Sequence, residues 1–192
     1  GDVLTVRIVK LMKNFAFGKI EEIITPSPHR IEQDCPVSSR CGGCVYRHIS
    51  YEQELDIKRS RVQEAIARIG GLSVETLPVI GAENPDRYRN KAQYPVGMED
   101  GTLKIGFYSP RSHRINHCLD CQLQPESFAQ ILAVVEQWVQ EFSISVYDET
   151  THQGLLRHVY IRHAEATGEL MVCLIANGTG LPHAEELVSR LR

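Results

Sequence analysis

Cysteine is the residue type whose spacing in this sequence most directly suggests chemistry. Cys35, Cys41 and Cys44 form the pattern C-x5-C-x2-C, and Cys121 lies far downstream. A cubane iron–sulfur cluster takes one soft thiolate for each iron, and a loop can offer three of them together. Two glycines between the second and third cysteines let the chain curl there. The pattern therefore suits a cubane iron–sulfur cluster as one of two metal groups.

Structural zinc is the chemical alternative, because zinc sites made of four cysteines usually pair two C-x2-C knuckles. Cys41 and Cys44 form one such knuckle, and Cys118 and Cys121 form a second. Spacing alone leaves cluster and zinc open. The sixth cysteine, Cys173, lies in an apolar run and is predicted to be a small buried core residue.

The first fifty residues predict a short hairpin followed by loops. Residues 3–10 alternate apolar and polar side chains, and residues 15–24 supply a second strand. We interpret the pair as the end of a small β-barrel. Pro26-Ser27-Pro28 then reads as a linker, and the cysteine segment 35–44 lacks sustained periodicity.

Helices and further hairpins are expected downstream. Ser50 followed by Gln53 is a capping-box signature for a helix of about five turns, which ends at Gly70-Gly71. Two hairpins and two helices follow, the first helix with Pro125 at its first position and the second beginning at Pro182. The first hairpin is expected at residues 91–98 and 102–108, and the second at residues 155–164 and 169–176. The first of these helices is expected at residues 126–142. The predicted fold class is α+β with antiparallel hairpins.

Charge and composition limit the possible function. The net charge of −3 argues against a generally basic nucleic-acid binder, but residues 84–118 carry six basic and three acidic side chains. No run approaches the roughly 18 apolar residues of a membrane span, and the start has no signal-peptide pattern. We expect a cytoplasmic protein without a membrane association. Neither a G-x-G-x-x-G nor a P-loop motif is present.

Several motifs together resemble one enzyme family. Ser27-Pro28-His29-Arg30 precedes Cys35-Pro36, then come Cys41-Gly42-Gly43-Cys44 and Tyr51-Glu52-Gln53 leading to Lys58. Tyr88 to Gly97, Gly106-Phe107-Tyr108 and Arg111 to Ile115 follow. The order is similar to that of the RumA/TrmA group of S-adenosylmethionine-dependent RNA uracil-C5 methyltransferases, in the iron–sulfur subgroup that modifies 23S ribosomal RNA.

The resemblance implies a domain organisation. Residues 1–25 would end a TRAM-type RNA-binding barrel, 26–50 would form the linker and cluster loop, and 51–192 a truncated central domain that cradles RNA. The sequence opens without Met and closes inside an apparent helix. We therefore expect an N-terminal portion, with a Rossmann-like catalytic domain beyond Arg192.

The resemblance also implies the chemistry. In such enzymes a catalytic cysteine attacks C6 of a flipped-out uridine, C5 takes the methyl group from S-adenosylmethionine, and a glutamate removes the C5 proton. None of these catalytic or cofactor-binding signatures maps onto this chain, so the fragment alone is predicted to be inactive. The alternative is a zinc-dependent RNA-binding module without catalysis.

The resemblance bears on particular residues as well. The family's fourth cluster ligand precedes an apolar residue and Gln, which Cys121-Gln122-Leu123-Gln124 matches better than Cys118-Leu119-Asp120-Cys121, although Cys118 leaves the assignment open. Ribosomal RNA is the implied partner, and no protein partner is implied. Tyr88 or Tyr94 could stack on an unpaired base, and phosphate contacts are expected from the basic residues of the matching motifs: Arg89, Lys91, Arg111, His113 and Arg114.

Overall fold

The computed structural model describes all 192 residues, with seven β-strands and three α-helices. The chain divides into two compact units. The first contains Gly1–Asp34 and Tyr46–Gly81, and the second contains Cys35–Val45 and Ala82–Arg192. None of the helices is long and apolar enough to cross a bilayer.

The first unit begins with a two-stranded antiparallel sheet. Strand β1 spans Val3–Leu11 and β2 spans Ala16–Thr25. Both strands were predicted to within one residue, because alternation and a polar turn are local signals. Nearly every residue of the pair is exposed, so apolar side chains are open on both faces.

The chain on either side of the cysteine loop is held together within the first unit. Arg30 and Ile49 form an antiparallel bridge, and the Ser50 N–H donates to the His29 carbonyl over 2.9 Å. The Arg47 guanidinium donates twice to the Asp34 carboxylate, over 2.8 and 2.6 Å. Residues 29–34 and 47–50, which flank residues 35–45 in the sequence, are therefore bonded to each other.

Helix α1 follows this base and spans Tyr51–Arg68. The Ser50 hydroxyl accepts from the Gln53 N–H over 3.3 Å, so the predicted N-cap is confirmed. The helix ends at Ile69, and Gly71 follows with a φ of +64°. This left-handed backbone explains why a glycine stands just after the helix.

The second unit is built on a five-stranded antiparallel sheet. Its strands run β5-β4-β3-β6-β7 across the sheet, so β5 and β7 are its edges. The bounds are Lys91–Glu99 for β3, Thr102–Tyr108 for β4, Ile115–His117 for β5, Leu156–Ala164 for β6 and Glu169–Ala176 for β7. The predicted α+β class with antiparallel hairpins is confirmed. Strand β5 was not predicted, since three residues are too few to show an alternating pattern.

The core of the second unit lies between this sheet and helix α2, which spans Glu126–Glu141. The helix buries one apolar stripe that includes Phe128, Leu132, Val135 and Trp138. The Trp138 indole N–H donates to the His183 carbonyl over 2.9 Å, just before helix α3 at Ala184–Leu191. Burial of this stripe against the sheet stabilises the unit.

Two helix starts differ from the sequence prediction. Pro125 is the N-cap of α2 rather than its first helical residue, because its ψ of 144° is extended. Helix α3 begins at Ala184 rather than Pro182, since His183 adopts a left-handed φ of 54° that interrupts the turn. Backbone geometry at such short junctions depends on tertiary contacts, which a sequence signal does not carry.

Candidate functional site

The cysteine loop, residues 35–45, consists of successive tight turns. The Ser38 N–H donates to the Cys35 carbonyl over 3.2 Å, and the Cys41 N–H donates to the Val37 carbonyl over 2.8 Å. Val37 is buried, whereas Cys35, Cys41 and Cys44 are half-buried. The turns therefore fold the loop on an apolar residue and leave its three thiols at the surface of the unit.

One buried amide joins the cysteine loop to the sheet. Asn116 lies on β5, and its Nδ2 group donates to the Arg40 carbonyl over 3.3 Å. The same group donates to the Phe107 carbonyl over 3.3 Å and to the Ser109 hydroxyl over 2.9 Å. One side chain thus holds the loop, strand β4 and the turn after β4.

Two glycines permit the close packing around this amide. A Cβ on Gly42 would lie 2.9 Å from Pro110 Cγ, and a Cβ on Gly106 would lie only 1.9 Å from the Asn116 carbonyl oxygen. The loop can approach the turn after β4 because Gly42 has no side chain. Strand β4 can approach β5 because Gly106 has none.

The second cysteine segment, residues 118–124, is anchored by its backbone. The Cys118 N–H donates to the Ile105 carbonyl on β4, and the Gln124 N–H donates to the Cys121 carbonyl, each over 2.9 Å. The Arg89 N–H donates to the Leu123 carbonyl over 3.0 Å. These bonds fix the segment beside the start of β3.

Arg87 supports the same segment. Its backbone N–H donates to the Gln122 carbonyl over 2.8 Å, and its guanidinium donates to the carbonyls of Cys121 and Gln124, both over 3.1 Å. The guanidinium also forms a salt bridge with Asp120, which lowers the pKa of that carboxyl. Arg87 therefore binds four hydrogen-bond acceptors of the cysteine segment, which are three backbone carbonyls and one carboxylate.

Four thiols share one electrostatic neighbourhood. Burial raises the pKa of Cys118 to about 12, and negative charge on Cys121, Cys35, Cys41 and Asp120 adds to the effect. Burial also raises the pKa of Cys121, and charge on Cys35 and Cys41 contributes there too. The structure thus brings two loop cysteines and both downstream cysteines close enough for their charges to interact.

Cys118 and Cys121 differ in what surrounds their sulfur atoms. The Leu123 N–H donates to the Cys121 sulfur, and the positive charge of Arg89 lies near that sulfur. These two contacts lower the pKa of the Cys121 thiol, whereas burial raises it. The Cys118 thiol instead donates to the Asp120 carbonyl over 3.5 Å. Burial outweighs these two contacts, so the pKa values of both thiols are raised, but only at Cys121 do neighbouring groups oppose the increase.

The fit of these residues to a metal group is mixed. No three or more His, Cys, Asp or Glu side chains are arranged so that they could hold a metal ion. The donors themselves suit a thiolate-bound group, because half-buried thiols from two segments lie within reach of each other's charge and one sulfur accepts an N–H. The type of donor therefore suits such a group, whereas the arrangement does not, because the thiols do not converge on one point.

Cys173 takes no part in this neighbourhood, and the prediction that it is buried is wrong. It lies on β7 and is exposed. The reason is topological: β7 is an edge strand, and most of the residues in its first half, Glu169 to Cys173, are open to solvent.

A cavity of about 570 Å³ contains two of the residues predicted to contact RNA, His113 and Arg114. Sequence reasoning missed the rest of its wall, because β3, β4 and the segment before β6 meet there only in the folded chain. The other polar and aromatic lining residues are Lys104, Tyr108, Tyr147, Asp148, Glu149, Thr150 and Arg157, with Glu99 on the β3 side.

Aromatic rings and ion pairs organise this cavity. The rings of Tyr108 and His113 lie 5.5 Å apart at 32°, and the Arg157 guanidinium lies 4.3 Å from the centre of the Tyr147 ring. Arg157 also pairs with Glu149 over 2.9 Å. Burial, followed by the charge on Glu149, raises the pKa of Tyr108, so its hydroxyl is neutral at physiological pH.

The other residues predicted to contact RNA lie elsewhere in the unit. Arg89 is half-buried beside the cysteine segment, Lys91 lies 5.9 Å from the Tyr160 ring centre, and Arg111 is exposed in the turn after β4. Tyr94 is 0% exposed, so the suggestion that it stacks on a base is wrong: its ring belongs to the core. Tyr88 is 61% exposed.

Known proteins similar to the whole chain are described as uncharacterized RNA methyltransferases. The identity is 45% over 191 residues with one from Clostridium tetani and 43% over 192 residues with one from Halalkalibacterium halodurans. A third, from Listeria monocytogenes, is 41% identical over 191 residues. Each alignment covers 100% of this chain and 42% of the relative. No protein-family model matches the chain.

The fold is similar to that of a solved enzyme, the Pyrococcus abyssi tRNA (uracil-54, C5)-methyltransferase in complex with S-adenosyl-L-homocysteine. The TM-score is 0.69 at 24% identity, over 97% of this chain and 42% of that one. The relatives and the solved structure are all described as RNA methyltransferases, the group that the motifs suggested. The chain is a homologue of these proteins and spans about two fifths of their length.

We predict that Asn116→Ala loosens the cysteine loop. The change removes three part-buried hydrogen bonds and leaves the carbonyls of Arg40 and Phe107 without this donor, which should lower the free energy of unfolding by about 1–3 kcal/mol. Urea unfolding and hydrogen exchange of residues 35–45 measure the two effects. Asn177→Ala, which removes one exposed bond to the Gly154 carbonyl, is the control. Equal exchange in the two variants would contradict the prediction.

Proposed function

We propose that the protein containing this chain is an S-adenosylmethionine-dependent methyltransferase that forms 5-methyluridine in ribosomal RNA, in the cytoplasm. The observation that carries the proposal is the 45% identity to an RNA methyltransferase across the entire chain. The printed name of the structural neighbour, a uracil-C5 enzyme with S-adenosyl-L-homocysteine bound, supports the reaction and the cofactor. The choice of ribosomal RNA rests on the resemblance of the motifs to the subgroup that modifies 23S ribosomal RNA, whereas the structural neighbour is described as a tRNA enzyme.

Within that enzyme these 192 residues supply RNA recognition and the iron–sulfur site. The hairpin β1–β2 exposes apolar side chains on both faces, as expected of two strands from a larger TRAM-type barrel. Methyl transfer itself is assigned to a Rossmann-like domain outside these residues, since no cofactor loop or catalytic cysteine motif maps onto them. The chain alone therefore neither binds S-adenosylmethionine nor transfers methyl groups.

The proposed ligands of a 4Fe-4S cluster are Cys35, Cys41, Cys44 and Cys121. The N–H donated by Leu123 and the nearby Arg89 charge favour the thiolate form at Cys121. Cys118 is left out because its thiol donates to a carbonyl within its own turn. When bound, such a cluster would cross-link the cysteine loop to the segment after β5 through metal–thiolate bonds.

We propose that the cavity beside His113 and Arg114 accepts an unpaired base rather than a phosphate. Its three basic side chains, Lys104, Arg114 and Arg157, are balanced by three carboxylates, so it has little net attraction for an anion. Arg114 and Arg157 are each already paired with one of those carboxylates. The Tyr108 and Tyr147 rings offer a stacking surface instead, and base stacking tolerates a neutral site.

The proposed ligand set predicts opposite results for two neighbouring cysteines. Anaerobically purified protein should contain iron and sulfide, and Cys121→Ser should lose most of both because one thiolate ligand is removed. Cys118→Ser is the matched control and should retain the cluster. Metal and sulfide analysis with the visible absorption spectrum measures the outcome. Zinc without sulfide in the unaltered protein would instead favour the RNA-binding module, and loss of iron in Cys118→Ser alone would overturn the ligand choice.

For the cavity we predict that Tyr108→Leu weakens binding of single-stranded RNA by about 1–3 kcal/mol, because one base loses its stacking partner. The dependence of affinity on salt should stay unchanged, since no phosphate contact is removed. Fluorescence anisotropy at several salt concentrations measures both quantities. Phe142→Leu, which removes another ring stacked on a histidine, is the control. Equal losses in the two variants would argue against the cavity as the base site.

For the enzyme we predict that the full-length protein incorporates methyl groups at C5 of uridine in a ribosomal RNA transcript. The 192-residue chain should be inactive with the same substrate. Mass spectrometry of digested nucleosides detects 5-methyluridine directly. A transcript of tRNA serves as the comparison, and methylation of tRNA alone would show that the proposed RNA class is wrong while retaining the reaction.

A further inference from the structure

The five-stranded sheet of the second unit has one face in the core and a second face that no helix of the unit covers. Helix α2 packs on the face that carries Tyr94 and Val159. Successive side chains of a strand point to opposite faces, so the residues that alternate with these two belong to the second face. At one end of β3, β6 and β7 they form a surface that we call the open face: Lys91, Gln93, Tyr160, Arg162, Met171 and Cys173.

The outer row of the open face brings two cations together. In the strand register Lys91 lies opposite Arg162, and Arg162 lies opposite Met171 on β7. All three side chains are exposed, and neither cation forms an ion pair. At this end of the sheet the same face carries one carboxylate, Glu169, which accepts from the Thr167 hydroxyl over 2.8 Å. Like charges directly opposite each other on neighbouring strands are destabilising, so this row favours an anion that lies between the two cations.

The second row of the open face carries an aromatic ring. Tyr160 lies opposite Gln93 on one side and opposite Cys173 on the other. The ring is half-buried, whereas both neighbours are exposed. The Lys91 ammonium lies 5.9 Å from the centre of the Tyr160 ring, which is the outer limit of a cation–π contact. The face therefore offers a ring for stacking directly beside a place for an anion.

The chemistry of the open face favours RNA as its occupant. Opposed cations attract an anionic group, and the backbone of RNA carries one phosphate for every nucleotide. The proteins similar to this chain are described as RNA methyltransferases. Aromatic side chains stack on unpaired bases of single strands, loops and bulges, whereas the bases of a duplex are already stacked. A single strand therefore fits this surface better than a duplex.

We infer that the open face binds a single-stranded segment of the RNA substrate, with a phosphate between Lys91 and Arg162 and a base stacked on the Tyr160 ring. The amide of Gln93, exposed beside that ring, is available to the edge of the base. The inference rests on the proposed function in RNA methylation and adds a binding surface to it. None of the six residues lines the cavity beside Tyr108, so this surface is separate from that site.

The phosphate contacts are tested with Lys91→Gln and Arg162→Gln combined in the full-length protein. Binding of a fluorescently labelled, unstructured RNA is measured by anisotropy at several salt concentrations. Each phosphate contact to a single strand contributes about 0.7 to the slope of log affinity against log salt, so the double variant should flatten the slope by roughly one to one and a half. Arg190→Gln with Arg192→Gln removes the same charge at the end of α3, on the core side of the sheet, and should leave the slope unchanged. Equal slopes for the two double variants would overturn the inference.

The stacking contact is tested with two substitutions of Tyr160. Tyr160→Leu should weaken binding of the same RNA about fivefold or more, because one base loses its ring, and it should leave the salt dependence unchanged. Tyr160→Phe keeps the ring and should retain the affinity of the unaltered protein. Equal affinities of the Leu and Phe variants would show that the ring does not stack on a base.

The exposed thiol of Cys173 gives a measurement that needs no substitution, so the inference can fail even where a variant does not fold. Cys173 lies opposite Tyr160, so bound RNA should slow its alkylation by N-ethylmaleimide severalfold in the full-length protein. Mass spectrometry of the peptide that contains Cys173 follows the rate. Equal rates with and without saturating RNA would overturn the inference alone.

Two further outcomes of these experiments are decisive. A Cys173 thiol that is already unreactive before RNA is added would show that another part of the polypeptide covers the open face, and the inference would be wrong. Failure of the unaltered full-length protein both to bind RNA and to form 5-methyluridine would overturn the proposed function, and the inference with it.

Discussion

The buried amide of Asn116 is the interaction on which the candidate site depends. Residues 35–45 have no helix or strand of their own, and two of their turns are closed by hydrogen bonds to the carbonyls of Cys35 and Val37. Asn116 supplies the bond from β5 to the Arg40 carbonyl, next to Cys41, and its own strand is held against β4 by the close approach at Gly106. The placement of the loop thiols therefore follows from the geometry of two short strands at the edge of the sheet.

The placement of these thiols makes their negatively charged forms unfavourable. Burial raises the pKa values of Cys118 and Cys121, and repulsion between neighbouring thiolates adds to the increase. Arg89 and the Leu123 N–H offset part of this cost at Cys121 alone. A thiolate-bound cation would remove the remaining repulsion, and without one the neutral thiols are favoured.

Sequence patterns predicted the helices and strands whose signals are local. They failed to predict the burial of side chains that depends on long-range contacts. The hairpins and the Ser50 cap were predicted because alternation, turn residues and capping act over a few residues. Exposure of Cys173 depends on β7 being an edge strand, and burial of Tyr94 depends on packing between β3, β4 and α2. Of the candidate site, the motif yielded the cysteines, but Asn116, Arg87 and the cavity wall carry no spacing signal.

The two candidate sites of the second unit lie on the same sheet but differ in burial and in charge. The cysteine neighbourhood lies where β4 and β5 meet the loop, around the buried amide of Asn116. The cavity beside Tyr108 is lined by the ends of β3 and β4, with equal numbers of basic side chains and carboxylates. Strand β4 contributes to both, through Ile105 and Phe107 on one side and Tyr108 at its end. Because β4 is bonded to Asn116 and contributes to both places, it fixes the distance between the cysteine neighbourhood and the cavity.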